Sequence, residues 1–417
     1  MTKFSERSSG TPRTRLPSPA WLIVVMSAIV LFCNNGFALI GITAFDSELI
    51  NQFGISVGAL KIRDAFTFGT VAVTGPLAGY LLDRVGIRPL MVVGMLLMAA
   101  GMIAYSFANG IIAIYGIHIL FGLCLVTSGL FANVILVAAT TRKHRGLAIG
   151  FIIAGSSLGQ AVAPGINEYL GSLVGWRQAL LMNAALPILL IPFILFIFPR
   201  LDGKSIGAQQ ESGAGPSYRE ALSHRNFWLL AVIAMIGFCV ELGVVTNMVL
   251  FAKRELRLDA ASASAAVFCL FVTALISQIG AGWLADRVGS RVVHASSLVV
   301  MTLGTLCLAM ATPGWMWIGV FLFGLGWGGN YSLIQLLTSN LFLGQAIGRI
   351  MGTIAVIESI GAALGPVAIG GLYDHFGSYS VPFFIAAGLT GATTIAVLML
   401  QIPPRVAHQP VLVPTPA

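Results

Sequence analysis

Two carboxyl groups, Glu241 and Glu358, stand deep inside long apolar runs. Counting ~1.5 Å per helical residue from the nearer charged loop places Glu358 about 15 Å in and Glu241 about 22 Å in. A charge at that depth in hydrocarbon is costly, and ionisable groups found there line solute paths or relay protons. A carboxyl group there can take up and release a proton, which is what a proton-coupled carrier needs. A structural hydrogen bond or a buried ion pair would also account for either residue. A second charged group, Lys61, Arg63 and Asp64, lies near the far end of another run, ~24 Å from Gly79 by helical rise.

A third candidate occurs twice. The stretch GYLLDRVGIR runs from Gly79 to Arg88 and returns as GWLADRVGSR from Gly282 to Arg291, with Asp83 and Asp286 separated by 203 positions. Each copy closes a long apolar run with a short charged connection. Arg145-Gly146 recurs as Gly348-Arg349, Pro164-Gly165 as Gly365-Pro366, Gly175 as Gly377 and Cys33 as Cys239. The chain therefore reads as two similar halves, with Asn35 and Glu241 as approximate equivalents.

The elements that position these residues follow from composition. Hydrophobic residues make up 57% and charged residues 9% of the chain, and the mean hydropathy is +0.91. A soluble domain carries about a quarter of its residues charged, so this chain must be solvated by lipid. Runs of about 20 apolar residues suffice to cross the bilayer core as helices. They predict an all-α membrane protein of twelve spans, at about 21–49, 58–82, 90–107, 111–140, 146–170, 178–198, 226–252, 260–285, 292–311, 315–341, 347–372 and 380–402. The domain reading is a tail over 1–20, a six-helix bundle over 21–198, a linker over 199–225, a second six-helix bundle over 226–402 and a tail over 403–417.

Orientation follows from basic residues. Placing both termini in the cytoplasm puts 17 of the 23 Lys and Arg residues on the inner side, leaving Lys61, Arg63, Arg177, Lys253, Arg254 and Arg257. The expected location is the cell (inner) membrane. The same distribution turns the +8 net charge away from a nucleic-acid reading. The first apolar run is too long for a signal peptide. The five cysteines all lie in apolar runs without a C-x-x-C pair, and read as packing residues. Catalytic, metal and cofactor sites are each read as none, because no Walker loop, zinc motif or Ser-His-Asp spacing stands out. His118 and His294 read as lone structural or interfacial residues.

With those motifs in hand, the sequence resembles the major facilitator superfamily. The G-x-L-x-D-R-x-G-x-R loop after spans 2 and 8 is similar to its signature loop. RGLAIGFIIAGSSLGQ, Arg145 to Gln160, and GPLAGYLLDRVGIRPLMVVG, Gly75 to Gly94, resemble its monocarboxylate and oxalate–formate porter branch. The resemblance implies two six-helix pseudo-repeats with a midplane site between them. It also implies that each loop aspartate faces a helix N-terminus of the other half, where unpaired N–H groups and the helix dipole favour a carboxylate. Asp83 would face the start of span 11 and Asp286 the start of span 5. Arg84, Arg287, Arg145 and Arg349 join Gly79 and Gly282 in this gating set. A tight interfacial turn is the simpler alternative.

The sequence departs from the branch at two positions. Gln278 stands where its anion porters carry an arginine, and Glu358 where its oxalate–formate porters carry a lysine. Lys61 or Arg63 could supply the missing cation, or could form a structural ion pair or outer gate with Asp64. The remaining candidate lining is Asn34, Asn35, His118, Asn133, Ser156, Gln160, Asn247, Gln278, Trp327, Asn330, Tyr331 and Gln335, each of which could instead bond helix to helix. Trp327 and Tyr331 could stack on a planar solute.

The expected function is a monomeric secondary transporter that moves a small organic solute, such as a monocarboxylate, by alternating access with proton symport. Its partners would be that solute, protons and the lipid bilayer, with no nucleic acid. An efflux antiporter for a cationic or drug-like compound is the first alternative, although the GPxxGP-type motif on span 5 is not evident. A non-transporting membrane sensor is the second. An enzyme is not expected.

Overall fold

The structure is a computed structural model, and it describes residues 19–141, 145–199, 217–342 and 347–401. The tails, most of the linker, and residues 142–144 and 343–346 lie outside the described residues.

Twelve long helices are present among the described residues: α1 (Ala20–Phe53), α2 (Val57–Val85), α3 (Ile87–Ser106), α4 (Ile111–Thr140), α5 (Arg145–Val174), α6 (Trp176–Ile197), α7 (Arg225–Glu255), α8 (Ala260–Val288), α9 (Ser290–Ala309), α10 (Pro313–Leu341), α11 (Ile347–Phe376) and α12 (Ser380–Leu398). Eleven are long and apolar enough to cross a membrane. The other, α2, carries Lys61, Arg63, Asp64, Asp83 and Arg84, yet its 29 residues span ~43 Å. A six-residue helix, Tyr218–Ser223, precedes α7 and opens with a capping box between Ser217 and Glu220.

Packing repeats between the halves. In the first, α1 lies on α5, α3 on α6, and α4 on α2 and α3; in the second, α7 lies on α11, α9 on α12, and α10 on α8 and α9. Glycines make the repeated close approach possible. A Cβ on Gly155 would meet the Ala28 carbonyl of α1, and one on Gly361, 206 residues later, would meet the Met235 carbonyl of α7. The halves meet through α2 against α11 and α5 against α8, two contacts that the pseudo-symmetry interchanges.

Both copies of the charged loop turn on one glycine. Gly86 has φ 83° and ψ 161°, and Gly289 has φ 103° and ψ 136°. That region is almost closed to residues with a Cβ. It lets α2 reverse into α3, and α8 into α9, through a single residue. This end of the molecule is the repeat-loop face below, and the end carrying the α1–α2 turn is the opposite face.

Three helices are interrupted. α1 passes into a π-helical turn at Asn34–Ile40 and a 3-10 turn at Gly41–Phe45. α4 breaks at Gly129, and α7 ends in a π-turn at Phe251–Glu255. Such interruptions release backbone carbonyls that side chains must then satisfy.

Candidate functional site

In the second half a short polar chain crosses three helices. Glu241 of α7 is fully buried, and its Oε1 accepts from Asn330 Nδ2 of α10 at 2.7 Å. Asn330 Oδ1 lies 2.6 Å from His294 Nε2 of α9. Gly237, one turn before Glu241, leaves room for the Asn330 amide: a Cβ there would sit 2.8 Å from Nδ2. Glu241 Oε2 and His294 Nδ1 are buried without a hydrogen-bond partner.

Beside this chain, Glu358 of α11 is 6% exposed and its Oε1 has no partner. Glu241, Glu358 and Tyr331 lie within electrostatic reach of one another. Tyr331 also packs on Phe238, ring centroids 6.0 Å apart. Gln278 of α8 is half-buried, with Oε1 lacking a partner. Trp327 packs in a core aromatic cluster, 4.8 Å from Phe271, and its indole N–H faces the Glu241 carboxyl group. Acceptor oxygens that the protein itself leaves unsatisfied are uncommon in an interior, and Glu241, Glu358 and Gln278 each carry one.

In the first half, Asn35 Nδ2 donates to Ser156 Oγ at 2.6 Å, and Gln160 Nε2 donates to the same oxygen at 3.3 Å. The neighbouring Asn34 does different work. It is fully buried and donates to the Ser128 carbonyl at 2.8 Å, where Asn133 also donates at 2.8 Å. Both asparagines satisfy the carbonyl freed where α4 breaks. Asn247 likewise bonds within the helices, to the Gly243 carbonyl.

Lys61 and Arg63 are fully buried in an ion cluster. Asp46 of α1 bridges them, with Oδ2 2.5 Å from Lys61 Nζ and Oδ1 2.5 Å from Arg63 Nη2. Arg63 also reaches Tyr105 Oη at 3.2 Å and Asp64 at 3.7 Å. His118 joins through Thr67 Oγ1, 2.8 Å from its Nδ1. Two cations and two carboxylates balance. Asp46, Lys61 and Arg63 are paired and hydrogen-bonded, which offsets their burial, whereas Asp64 is held only by the 3.7 Å pair and leaves Oδ2 without a hydrogen-bond partner. Lys61 and Arg63 thus both stand in ion pairs with Asp46.

Lys61 Nζ also donates to the Thr246 carbonyl of α7 at 2.5 Å, so the cluster joins the halves. Further joints lie at the same face. Asp374 of α11 accepts from the Val57 and Gly58 amides, the first N–H groups of α2, at 2.9 and 2.7 Å. Lys253 pairs with Glu168 at 2.7 Å, and Arg254 bonds Asn51 at 3.0 Å. The halves are therefore held together at the opposite face.

At the repeat-loop face, Arg84, Asp286, Arg287 and Arg349 are exposed and Gly282 is half-buried. Arg287 lies over the Trp283 ring, 3.7 Å from its centroid. The side chains of Asp83 and Arg145, and the surroundings of Gly79 and Gly348, lie outside what the structure describes.

Twelve helices in two exchanged six-helix sets, a turning glycine in each repeated loop and polar groups between the halves outline the protein. The family model for the Major Facilitator Superfamily matches residues 21–342 and again 243–415. The chain belongs to this superfamily. It is a multi-pass membrane protein, and its relatives are transporters, not enzymes. Monocarboxylate transporter 3 of Rattus norvegicus is 24% identical over 387 residues, covering 89% of this chain and 78% of the relative. MFS-type transporter 1 of Ophiocordyceps sp. (strain BCC 1869) is 25% identical, covering 93% and 85%. The cis,cis-muconate transport protein of Acinetobacter baylyi is 22% identical, covering 90% and 93%.

Sequence reasoning passed over Asp46, Thr246, Asp374 and the engagement of His294. Asp46 did leave a signal, as one of two acids, with Glu48, near the end of the first apolar run, facing a Lys-x-Arg-Asp group one short turn later. Nothing in the sequence announced Thr246, which contributes a backbone carbonyl.

Proposed function

We propose that this superfamily member moves a small organic acid by alternating access, with a proton carried on the Glu358 and Glu241 carboxyl groups. The observation that carries the reading is Glu358: an almost fully buried carboxyl on α11, a helix at the boundary between the halves, with an oxygen that no protein group satisfies. A proton or a solute hydroxyl is the natural complement to such an oxygen. The relatives named for monocarboxylates and for cis,cis-muconate support the solute class. Asn35, Gln160, Gln278 and Tyr331 would provide neutral polar contacts from both halves, and the symport direction follows if proton and acid bind together.

In this reading the repeat-loop face is cytoplasmic, both termini lie inside, and the functional unit is a monomer in the inner membrane. The joints at the opposite face close the outside. The repeated loops, through Asp83, Asp286 and the arginines near them, form the second latch, engaged when the transporter opens outward. Asp83→Asn should then raise cysteine labelling from the inner face, and unchanged labelling would remove the latch role.

Uptake of labelled cis,cis-muconate and acetate into proteoliposomes, with and without an inward proton gradient, tests the proposal. Gradient-stimulated uptake that Glu358→Gln abolishes supports it. A second reading, proton exchange for a cationic compound, draws on Glu241 and Glu358 standing together in one half. It predicts gradient-driven movement of an organic cation and none of the acids.

A further inference from the structure

The chain from Glu241 to His294 has a property that its distances alone do not express. Asn330 has one donor side and one acceptor side, and both are engaged. While its Nδ2–H donates to Glu241, its Oδ1 accepts, so His294 Nε2 must carry the hydrogen. The ring's other nitrogen, Nδ1, is then the bare acceptor, and it is buried without a partner. Were Glu241 protonated on Oε1, the same amide would have to turn over. Its Oδ1 would accept from the Glu241 hydroxyl and its Nδ2–H would donate to His294 Nε2, which could no longer carry a hydrogen. The imidazole would hold its proton on Nδ1 instead. The two arrangements contain the same number of hydrogen bonds and differ by one proton.

We propose that Glu241, Asn330 and His294 are one proton-binding site with these two arrangements, in which the orientation of the Asn330 amide ties the charge on Glu241 to the tautomer of His294. Passing from the first to the second, Glu241 gains a proton, while His294 loses one from Nε2 and gains one at Nδ1. The net uptake is one proton, and the imidazole remains neutral. Protons exchange with water at Glu241 and His294 when the site is open, and none crosses the amide. His294 sits one turn from the start of α9 at the repeat-loop face, so the site spans from the membrane interior toward that face. The other titratable side chains within electrostatic reach of Glu241, among the described residues, are Glu358 on α11 and Tyr331 on α10. Around His294 the polar partner is Asn330 alone among the described residues. His294 and Asn330 are positioning residues for the proposed coupling at Glu241, and the inference rests on that reading.

The test uses the full chain in lipid nanodiscs with ¹⁵N-labelled histidine, without added solute. Infrared difference spectra over a pH series locate the carboxylic C=O band of Glu241, identified by its loss in Glu241→Gln. Solid-state NMR of the same samples reads the His294 tautomer, assigned by its loss in His294→Gln. The expected result is an Nε2–H ring at high pH that converts to an Nδ1–H ring in step with the growth of the Glu241 band. In Asn330→Ala the band should still grow, with no matching tautomer change. A wild-type ring that keeps Nε2–H throughout, or becomes doubly protonated as the band grows, would overturn the inference while leaving proton binding by Glu241 intact. A Glu241 band absent at every pH would remove both. The wild-type measurement decides the matter even if a variant fails to fold.

Discussion

The Asp374 carboxylate of α11 accepts the amide hydrogen of Gly58 at 2.7 Å, across the boundary between the two halves. Its other oxygen takes the Val57 amide, so one side chain from the second half caps the start of a helix in the first. The contact depends on glycine, because a Cβ on Gly58 would stand 2.8 Å from that oxygen and 3.0 Å from the Gly371 Cα. A carboxylate set on a helix N-terminus of the other half is the device expected of the repeated loops. Here it operates at the opposite face.

Removing that cap should loosen the opposite face. Asp374→Ala gives up two charge-assisted bonds near solvent, together worth on the order of 1–2 kcal/mol, or about a tenfold change in the closed-to-open ratio. Spin labels at the exposed positions Ser56 and His375 should show a new, longer distance population. An unaltered distribution would show that Lys61, Lys253 and Arg254 hold this face without Asp374.

The buried ion cluster makes a stability prediction. Asp46→Asn leaves Lys61 and Arg63 in the interior with only Asp64 to balance them, and breaking a buried pair from one side typically costs ~3–5 kcal/mol. Thermal unfolding in detergent should move strongly downward. The double variant Asp46→Asn with Lys61→Met removes one charge of each sign and should recover much of the loss. Failure to recover would mean that Asp46 matters beyond its charge.

The turning glycines should respond alike in both copies. Gly86→Ala and Gly289→Ala place a Cβ on backbone with φ of 83° and 103°, at a cost of ~1–3 kcal/mol each. Gly146→Ala, in a helix with open space around it, should be neutral or slightly stabilising. Melting temperatures of the three variants give the comparison directly.

Much of this architecture was readable in the residues. The apolar runs placed all twelve helices within a few residues of their observed ends, because lipid solvation requires the same length of apolar helix each time. Even α2 was legible despite its charges, since Lys61, Arg63 and Asp64 lie within about two turns of its start and Asp83 and Arg84 in its last turn, leaving an uncharged run between them. The site was legible only in part. Glu241 and Glu358 stood out by depth, and both are buried in the structure. Asn34 looked like a lining residue, but its task was set by the break of α4 at Gly129, which no local pattern in α1 encodes. His294 looked solitary because its partner comes from another helix, 36 residues on. Asp374 lies at a helix end, where a charge is unremarkable until α2 arrives beside it.

The central claim is that buried carboxyl groups couple protons to an organic acid, and gradient-driven uptake in proteoliposomes tests it most directly. Wild-type protein should accumulate labelled cis,cis-muconate or acetate under an inward proton gradient. Glu358→Gln should lose that stimulation at least ~10-fold, a barrier or binding change of about 1.4 kcal/mol or more, while solute counterflow without a gradient persists. Uptake indifferent to the gradient in the wild type, or equally stimulated in Glu358→Gln and Glu241→Gln, would contradict the account.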